Sequence, residues 1–353
     1  MGLHRDDLPR EVLDILVNGT VIPAHPLALD ASRRFDRRRQ RGLTRYYIDA
    51  GAGGLAVGVH TTQFAIREAG MYETVLAAAV EDAGQWGKLP LVLIAGICGR
   101  TPQAMAEART AVALGYHAGL VSLAAFQGES EDALVAHCRA VATEIPLVGF
   151  YLQTSVGGIR LDAGFWRRFA EIENAVAIKV APFDRYATLD VVRGVALAHA
   201  EQRIGLYTGN DDHIVLDLAT PFSVPRDGGA VTLRFRGGLL GHWSVWVRSA
   251  VQLLARIHRE VGSGAVSEAL LALDSRVTDC NAAFFDVANG FRGCIAGCHE
   301  VLRRQGLLEG IWCLDPEETL SPGQMQAIDR VCTAHADLSD DDFVRANLER
   351  WLE

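Results

Sequence analysis

The chain has 353 residues, 49% of them apolar and 22% charged, which fits a globular protein with a sizeable core. Its formal charge of −9 argues against a nucleic-acid partner, because binding phosphates needs clustered Lys and Arg. No apolar run approaches the roughly 20 residues of a membrane helix, and residues 1–10 lack the apolar core of a signal peptide. Seven scattered cysteines suit a reducing cytoplasm better than a disulfide framework.

Short apolar, β-rich runs recur along the chain at 21–29, 54–59, 89–97, 119–125, 146–152, 176–180, 204–207 and 238–241. Most are continuous rather than alternating, the pattern of strands buried on both faces of a parallel sheet. After the first run, Arg33-Arg34-Phe35-Asp36-Arg37-Arg38-Arg39 is expected as a solvated helix face. Gly51-Ala52-Gly53-Gly54-Leu55-Ala56 matches a loose dinucleotide-binding pattern, but its glycines precede a strand instead of following one. It reads as a tight turn.

Thr101-Pro102 supplies an N-cap and a first-turn proline for a helix over 104–114, with Gly115 as its stop. Ser130-Glu131-Asp132 opens the next helix, and Asp162 opens another that runs to Ile172. Residues 223–236 are rich in Gly, Pro and charge and read as a long loop, a candidate lid. Beyond Gly241 the pattern changes to helices alone, at 245–259, 264–286, 293–305, 323–333 and 338–352. Eight βα units fit a closed barrel better than an open doubly wound sheet. The expected architecture is α/β: an N-terminal segment over 1–18, a (β/α)8 TIM barrel over 19–244 and a C-terminal helical extension over 245–353.

Barrel active sites lie at the C-terminal ends of the strands. Those positions hold His25, then His60-Thr61-Thr62-Gln63, Phe126-Gln127, Tyr151 with Gln153, Lys179, Asn210-Asp211-Asp212-His213 and His242-Trp243-Ser244. Of 34 basic residues only Lys88 and Lys179 are lysines, and an arginine cannot act as an amine nucleophile. Lys88 reads as a surface-loop residue. Lys179 sits within Val176-Ala177-Ile178-Lys179-Val180-Ala181, where desolvation should move its pKa toward neutrality and favour the attacking amine. The competing readings are a buried salt bridge or a side chain snorkelling to the rim.

Tyr151 is either a proton shuttle beside that lysine or a core tyrosine with a satisfied hydroxyl. Thr61-Thr62 offers hydroxyls and backbone N–H groups to a carboxylate. Asp211-Asp212-His213 reads as a helix cap, with a metal-dependent lyase as its alternative. Cys294-x-x-x-Cys298-His299 reads as a packed helix rather than half of a zinc site.

Taken in order, Ala24-His25-Pro26, Thr61-Thr62, Tyr151, Lys179 and Gly241-His242-Trp243-Ser244-Val245 resemble the dihydrodipicolinate synthase / N-acetylneuraminate lyase superfamily, the pyruvate-type class I aldolases. The resemblance runs from about Gly19 to Arg330. It implies that Lys179 forms an imine with a pyruvate-like 2-keto acid, that Tyr151 relays protons, and that Thr61 and Thr62 hold the acid's carboxylate, Thr62 counted with the catalytic groups. It also implies a homo-oligomer, dimer or tetramer, with neither cofactor nor metal.

Several positions depart from the pattern. His60-Thr61-Thr62-Gln63-Phe64 stands for Gly-Thr-Thr-Gly-Glu, Tyr151-Leu152-Gln153-Thr154 for Tyr-Asn-x-Pro, and Ala125-Phe126 for a tyrosine pair. Ser155-Val156-Gly157-Gly158 occupies the place of an arginine that would hold a second carboxylate. These departures point away from the synthase itself, toward another aldolase, a hydratase-aldolase or a dehydratase. An acceptor pocket of His60, Gln63, Phe126, Gln153, Asn210 and His242 would suit a polyhydroxylated or aromatic aldehyde. A non-catalytic keto-acid-binding barrel is the competing reading.

Overall fold

The computed structural model describes residues 2–87 and 89–353; Met1 and Lys88, the latter read above as a surface-loop residue, lie outside the described residues. In chain order the elements are α1 (Arg10–Asn18), β1 (Val21–Pro23), α2 (Arg37–Ala50), β2 (Gly54–Val57), α3 (Tyr72–Trp86) and β3 (Val92–Ile97). Next come α4 (Thr101–Leu114), β4 (Ala118–Val121), α5 (Glu131–Ala142), β5 (Leu147–Leu152), α6 (Ala163–Ala170), β6 (Ala175–Ala181), α7 (Arg185–Leu197), β7 (Gly205–Thr208) and α8 (Ile214–Ala219). The remainder is β8 (Phe222–Arg226), β9 (Gly229–Leu233), β10 (Gly237–Leu240), then α9 (Val247–Gly262), α10 (Glu268–Phe284), α11 (Cys294–Arg304), α12 (Gln324–Ala334) and α13 (Asp341–Leu352). The fold is a (β/α)8 barrel with a C-terminal helical extension, as the spacing of the strands predicts. Among the described residues no helix is long and apolar enough to cross a membrane.

The chain divides into two compact units, Met1–Thr20 with Val92–Leu239 and Val21–Leu91 with Leu240–Glu353. In the first, β3, β4, β5, β6, β7 and β10 pair in parallel, each with the next. The central strands β5 and β6 are buried along almost their whole length, which explains their unbroken apolar runs. Their register contains an irregularity: Leu147 partners Ala175 but Val148 partners Ala177, so Val176 is an extra residue, a β-bulge. Outside β5, α6 lays down Phe165, Trp166 and Phe169, all buried, with ring centroids 5.1–6.4 Å apart. Gly149 makes room for them, since a Cβ there would stand 2.9 Å from Phe169.

The stretch read as a long loop is a hairpin. β8 and β9 pair antiparallel, with Ser223 opposite Thr232 and Val224 opposite Val231, and Asp227 and Gly228 both take positive φ at the turn. Asp-Gly between two apolar-alternating runs is a hairpin signal, which the charge content masks. Arg226 fixes the hairpin to the end of α7 through two bonds of 3.0 Å to Glu201 and one of 2.6 Å to the Ala196 carbonyl. The lid expectation is therefore corrected: this segment is paired and pinned.

In the second unit β1 and β2 run side by side, joined by a parallel bridge between Ala24 and Ala56. Asp36 caps α2, accepting from the Arg39 amide, and Gly51 ends it in the left-handed conformation. The glycine cluster is thus the expected tight turn. The arginine run is a solvated face only in part: Arg34 and Arg38 are exposed, but the helical arginines also reach fixed partners. Arg37 forms an ion pair of 2.5 Å with buried Asp82 of α3, Arg38 donates to the Leu352 carbonyl at 2.8 Å, and Arg39 donates to the Gly306 carbonyl. Charge pattern marks a helix as polar but does not reveal which carbonyls and carboxylates will fold against it. The extension packs on α2 through buried Trp351, whose ring lies 5.4 Å from that of Tyr46.

Candidate active site

In the first unit Lys179 lies in the middle of β6 and is 7% exposed. Its Cα partners are Phe150 on β5 and Tyr207 on β7. Partners across parallel strands share a face, and neighbours along a strand alternate. Gly149 faces α6, so Phe150 and Lys179 face the opposite way, toward the barrel interior. The Lys179 Nζ lies 4.6 Å from the centroid of the Phe150 ring, over its face, where the ring quadrupole attracts a cation. Beyond β7, Gly209 closes round the same side chain: a Cβ there would stand 2.8 Å from Lys179 Cε.

Tyr151 does not share that environment. It partners Val180, one residue along, and so turns to the helix side of the sheet. Its ring lies 5.4 Å from that of Trp166 on α6. Its hydroxyl donates to the Leu161 carbonyl at 2.9 Å and accepts from the Leu161 amide at 3.1 Å. Burial raises its pKa above the ordinary phenol value. The expectation that Tyr151 relays protons beside Lys179 is corrected: it is a core tyrosine with both hydrogen-bonding functions engaged. Phe150, which the sequence reading passed over, takes the place beside the amine. The signal that could have found it was Gly149, a residue small enough to mark the helix-packed face.

Other expected residues of this unit are committed to structure. The Asn210 Oδ1 accepts from the Phe183 amide at 3.0 Å, and its Nδ2 donates to Thr188 at 3.2 Å and Asp217 at 2.9 Å. Asp217 also receives Thr208 at 2.7 Å and an ion pair from Arg185. Asn210 is thus a strut at the end of β7, and its assignment as a substrate group is corrected. Asp211-Asp212-His213 precedes α8, as the cap reading expects, although His213 at the cap makes no side-chain cap bond. The Phe126 ring packs 4.4 Å from that of His137 on α5, with the Arg100 guanidinium 5.0 Å over it. Gln153 follows β5, and its Oε1 accepts from Ser155 at 2.7 Å.

In the second unit the residues after β1 and β2 interlock. His25 is fully buried; its Nε2 bonds Thr44 at 2.9 Å, and its Nδ1 lies 2.9 Å from the Pro26 carbonyl. Desolvation lowers its pKa to about 4. Thr61 Oγ1 donates to the Ala24 carbonyl and Thr62 Oγ1 to the His25 carbonyl, each at 2.7 Å. Thr62 also accepts from the amides of Gly58 and Val59. Both threonine protons therefore tie the β2 loop to β1. His60 stands beside Phe64, ring centroids 5.9 Å apart. Gln63 takes φ 67° and ψ 116°, is 4% exposed, and accepts from the Leu314 amide at 2.6 Å.

His242 stacks on Phe284 at 5.6 Å and, like His25, is held near pKa 4 by desolvation. It lines a cavity of about 300 Å³ with Trp243, Trp246, Leu253 and Cys280. Cys294, Cys298 and His299 are buried in α11, as the packed-helix reading expects. Among the described residues no three His, Cys, Asp or Glu side chains gather in a way that could hold a metal ion.

A model of the dihydrodipicolinate synthetase family matches residues 18–221. The 4-hydroxy-tetrahydrodipicolinate synthase of Bifidobacterium longum is 26% identical over 205 residues, 57% of this chain and 63% of that protein. The enzyme of the same name from Stenotrophomonas maltophilia is 30% identical over 144 residues, 40% of this chain and 47% of that protein. The chain spans about half to three-fifths of the length of these relatives. Among solved structures, dihydrodipicolinate synthase from Acinetobacter baumannii complexed with pyruvate superimposes with a TM-score of 0.73 at 17% identity. That match covers 90% of this chain and 99% of that one. CdNal from Clostridium difficile in complex with mannosamine gives 0.71 at 15% identity, covering 90% and 98%. These likenesses show a shared fold.

Proposed function

We propose, since this chain belongs to the dihydrodipicolinate synthetase family, that it is a class I lyase whose Lys179 forms a Schiff base with a pyruvate-like 2-keto acid. The observation that supports this reading best is the position of Lys179. It is buried on an inward strand face, with its amine over an aromatic ring, in a chain that carries only one other lysine. The amine adds to the C2 carbonyl to give a carbinolamine, which loses water to give a cationic iminium. The iminium draws electrons from C3. Loss of the proton of a C4 hydroxyl lets the C3–C4 bond break, releasing an aldehyde and leaving an enamine, whereas loss of a C3 proton gives an enamine that can expel a C4 hydroxyl as water. Protonation and hydrolysis of the enamine return the keto acid and the amine. The Phe150 face favours the cationic iminium over neutral forms. The partner expected from His60, Gln63, Gln153 and His242, none a fixed cation, is a polyhydroxylated or aromatic aldehyde rather than a dianionic one. A cytoplasmic homo-oligomer is part of the same reading.

One observation favours a second reading, a barrel that binds a keto acid without turning it over. The residue in register with Lys179 on β5 is a phenylalanine, which has no proton to relay. A single experiment tests both. The protein is incubated with pyruvate, reduced with borohydride and mapped by mass, with Lys179→Met as control. An adduct confined to Lys179 supports the Schiff base, and its absence from the unmodified protein refutes it. Release of pyruvate from candidate hydroxylated keto acids then separates the lyase from the non-catalytic barrel.

A further inference from the structure

The cavity that His242 borders in the second unit is large for a space inside a packed protein. It lies between the turn after β10 and helices α9 and α10, and measures about 300 Å³. Native cores leave few voids larger than a water molecule. An apolar cavity of roughly 150 Å³ already takes up benzene, so this one has room for two fused rings. Its walls suit such a guest. Trp243 and Trp246 follow β10, Ala250 and Leu253 come from α9, and Leu273 and Val277 come from α10. All of the lining belongs to the second unit, and exposed Gln252 marks the open side.

One wall is held in place at a cost to the backbone. Trp246 takes φ 53° and ψ 40°, the left-handed region that a bulky side chain seldom enters. Residues persist there where the surroundings over-determine them, and such positions cluster at ligand-binding sites. Here the Ala250 amide donates to the Trp246 carbonyl at 3.0 Å, and the Val247 amide donates to the Tyr46 hydroxyl at 2.8 Å. The indole stands perpendicular to the Phe284 ring, centroids 5.1 Å apart. The strain thus sets an indole against the cavity from a turn where glycine would serve the backbone better.

The charges around the cavity are already matched. Arg256 donates to Glu260 at 2.8 Å, and Asp337 pairs with Arg276. Desolvation holds His242 neutral, near pKa 4. A charged guest would shed its water without meeting an unmatched counter-ion, a penalty that an uncharged guest escapes.

We propose that this cavity is a binding site for an uncharged aromatic molecule of two fused rings, gripped by Trp243 and Trp246. The inference stands without the Schiff-base reading, since no residue of the first unit takes part.

Calorimetric titration with coumarin tests it, beside coumarin-3-carboxylate and 3-acetylcoumarin, whose added groups match in bulk and differ in charge. The expected result is saturable binding of coumarin at one site per chain, with the carboxylate at least about tenfold weaker than the acetyl compound. Ala250→Phe fills the cavity from α9, so coumarin should bind at least about tenfold more weakly while Tm holds or rises. Trp246→Asn keeps a residue that tolerates the left-handed backbone and removes the indole. It should weaken coumarin by a similar factor, whereas Lys179→Met should bind as the unmodified protein does.

Absence of saturable binding overturns the site. So does wild-type affinity in a folded Ala250→Phe or Trp246→Asn variant, or loss of binding in Lys179→Met. Equal or tighter binding of the carboxylate overturns the uncharged class of ligand. Should one cavity variant fail to fold, the other decides.

Discussion

Replacing Gly209 with alanine should disable the amine without dismantling the strand that carries it. The Gly209 amide donates to the Val180 carbonyl at 2.7 Å, which locks the backbone beside β6. Its φ lies outside the left-handed region, so alanine adopts the same conformation. The added methyl would stand 2.7 Å from Ala181 Cβ, 2.8 Å from Lys179 Cε and 3.1 Å from Lys179 Cγ. Carbon atoms settle at about 3.5–4.0 Å, so roughly 1 Å must be found. Ala181 is fixed by its backbone, whereas the lysine stem can rotate, and it yields first. Stability should fall toward the lower end of the about 1–3 kcal/mol typical of overpacking. A misplacement of about 1 Å at a reacting atom lowers rate by around 10²-fold. Borohydride quenching at timed intervals after adding pyruvate, with Tm measured alongside, reads both effects. An alanine variant that forms adduct at the wild-type rate would show that Gly209 does not border the reacting amine.

Tyr151→Phe removes a hydroxyl that serves both backbone groups of Leu161, so it should lose about 1–3 kcal/mol in denaturant melts and still form adduct within twofold of the wild-type rate. Collapse of trapping instead would restore Tyr151 as the relay. The complementary Phe150→Tyr places a phenol beside the amine and should accelerate adduct formation; an unchanged rate in a folded variant counts against the register. A third expectation concerns acid. Desolvation holds His25, His137, His242 and His299 near pKa 4, below the unfolded value of about 6.5. The unfolded chain therefore binds more protons between those limits. The stability supplied by neutral histidines is complete above pH 6.5 and is lost as pH falls toward 4. Tm should decline steadily over that window, and a flat profile would contradict the burial of these rings.

Much of the fold was legible because it rests on local periodicity. Unbroken apolar runs marked the strands, and caps such as Ser130 and Asp162 marked helix starts. The helical extension followed from the same amphipathic spacing. The position of Lys179 was legible too, because a lone lysine in an apolar strand is conspicuous whatever surrounds it. Other features depended on distant partners. The arginines at 37–39 look solvated until Asp82, Leu352 and Gly306 fold against them, and Asn210 looks available until Thr188 and Asp217 enclose it.

The residue facing the amine was settled by one more fact that no periodicity carries. Counted without interruption from Leu147 opposite Ala175, Tyr151 would stand across from Lys179. The bulge at Val176 advances β6 by one position and brings Phe150 there instead. Side chains alternate with a period of two, so one inserted residue exchanges the two faces. Composition determined that a single lysine would be buried in a strand; only pairing between strands decided which neighbour it meets.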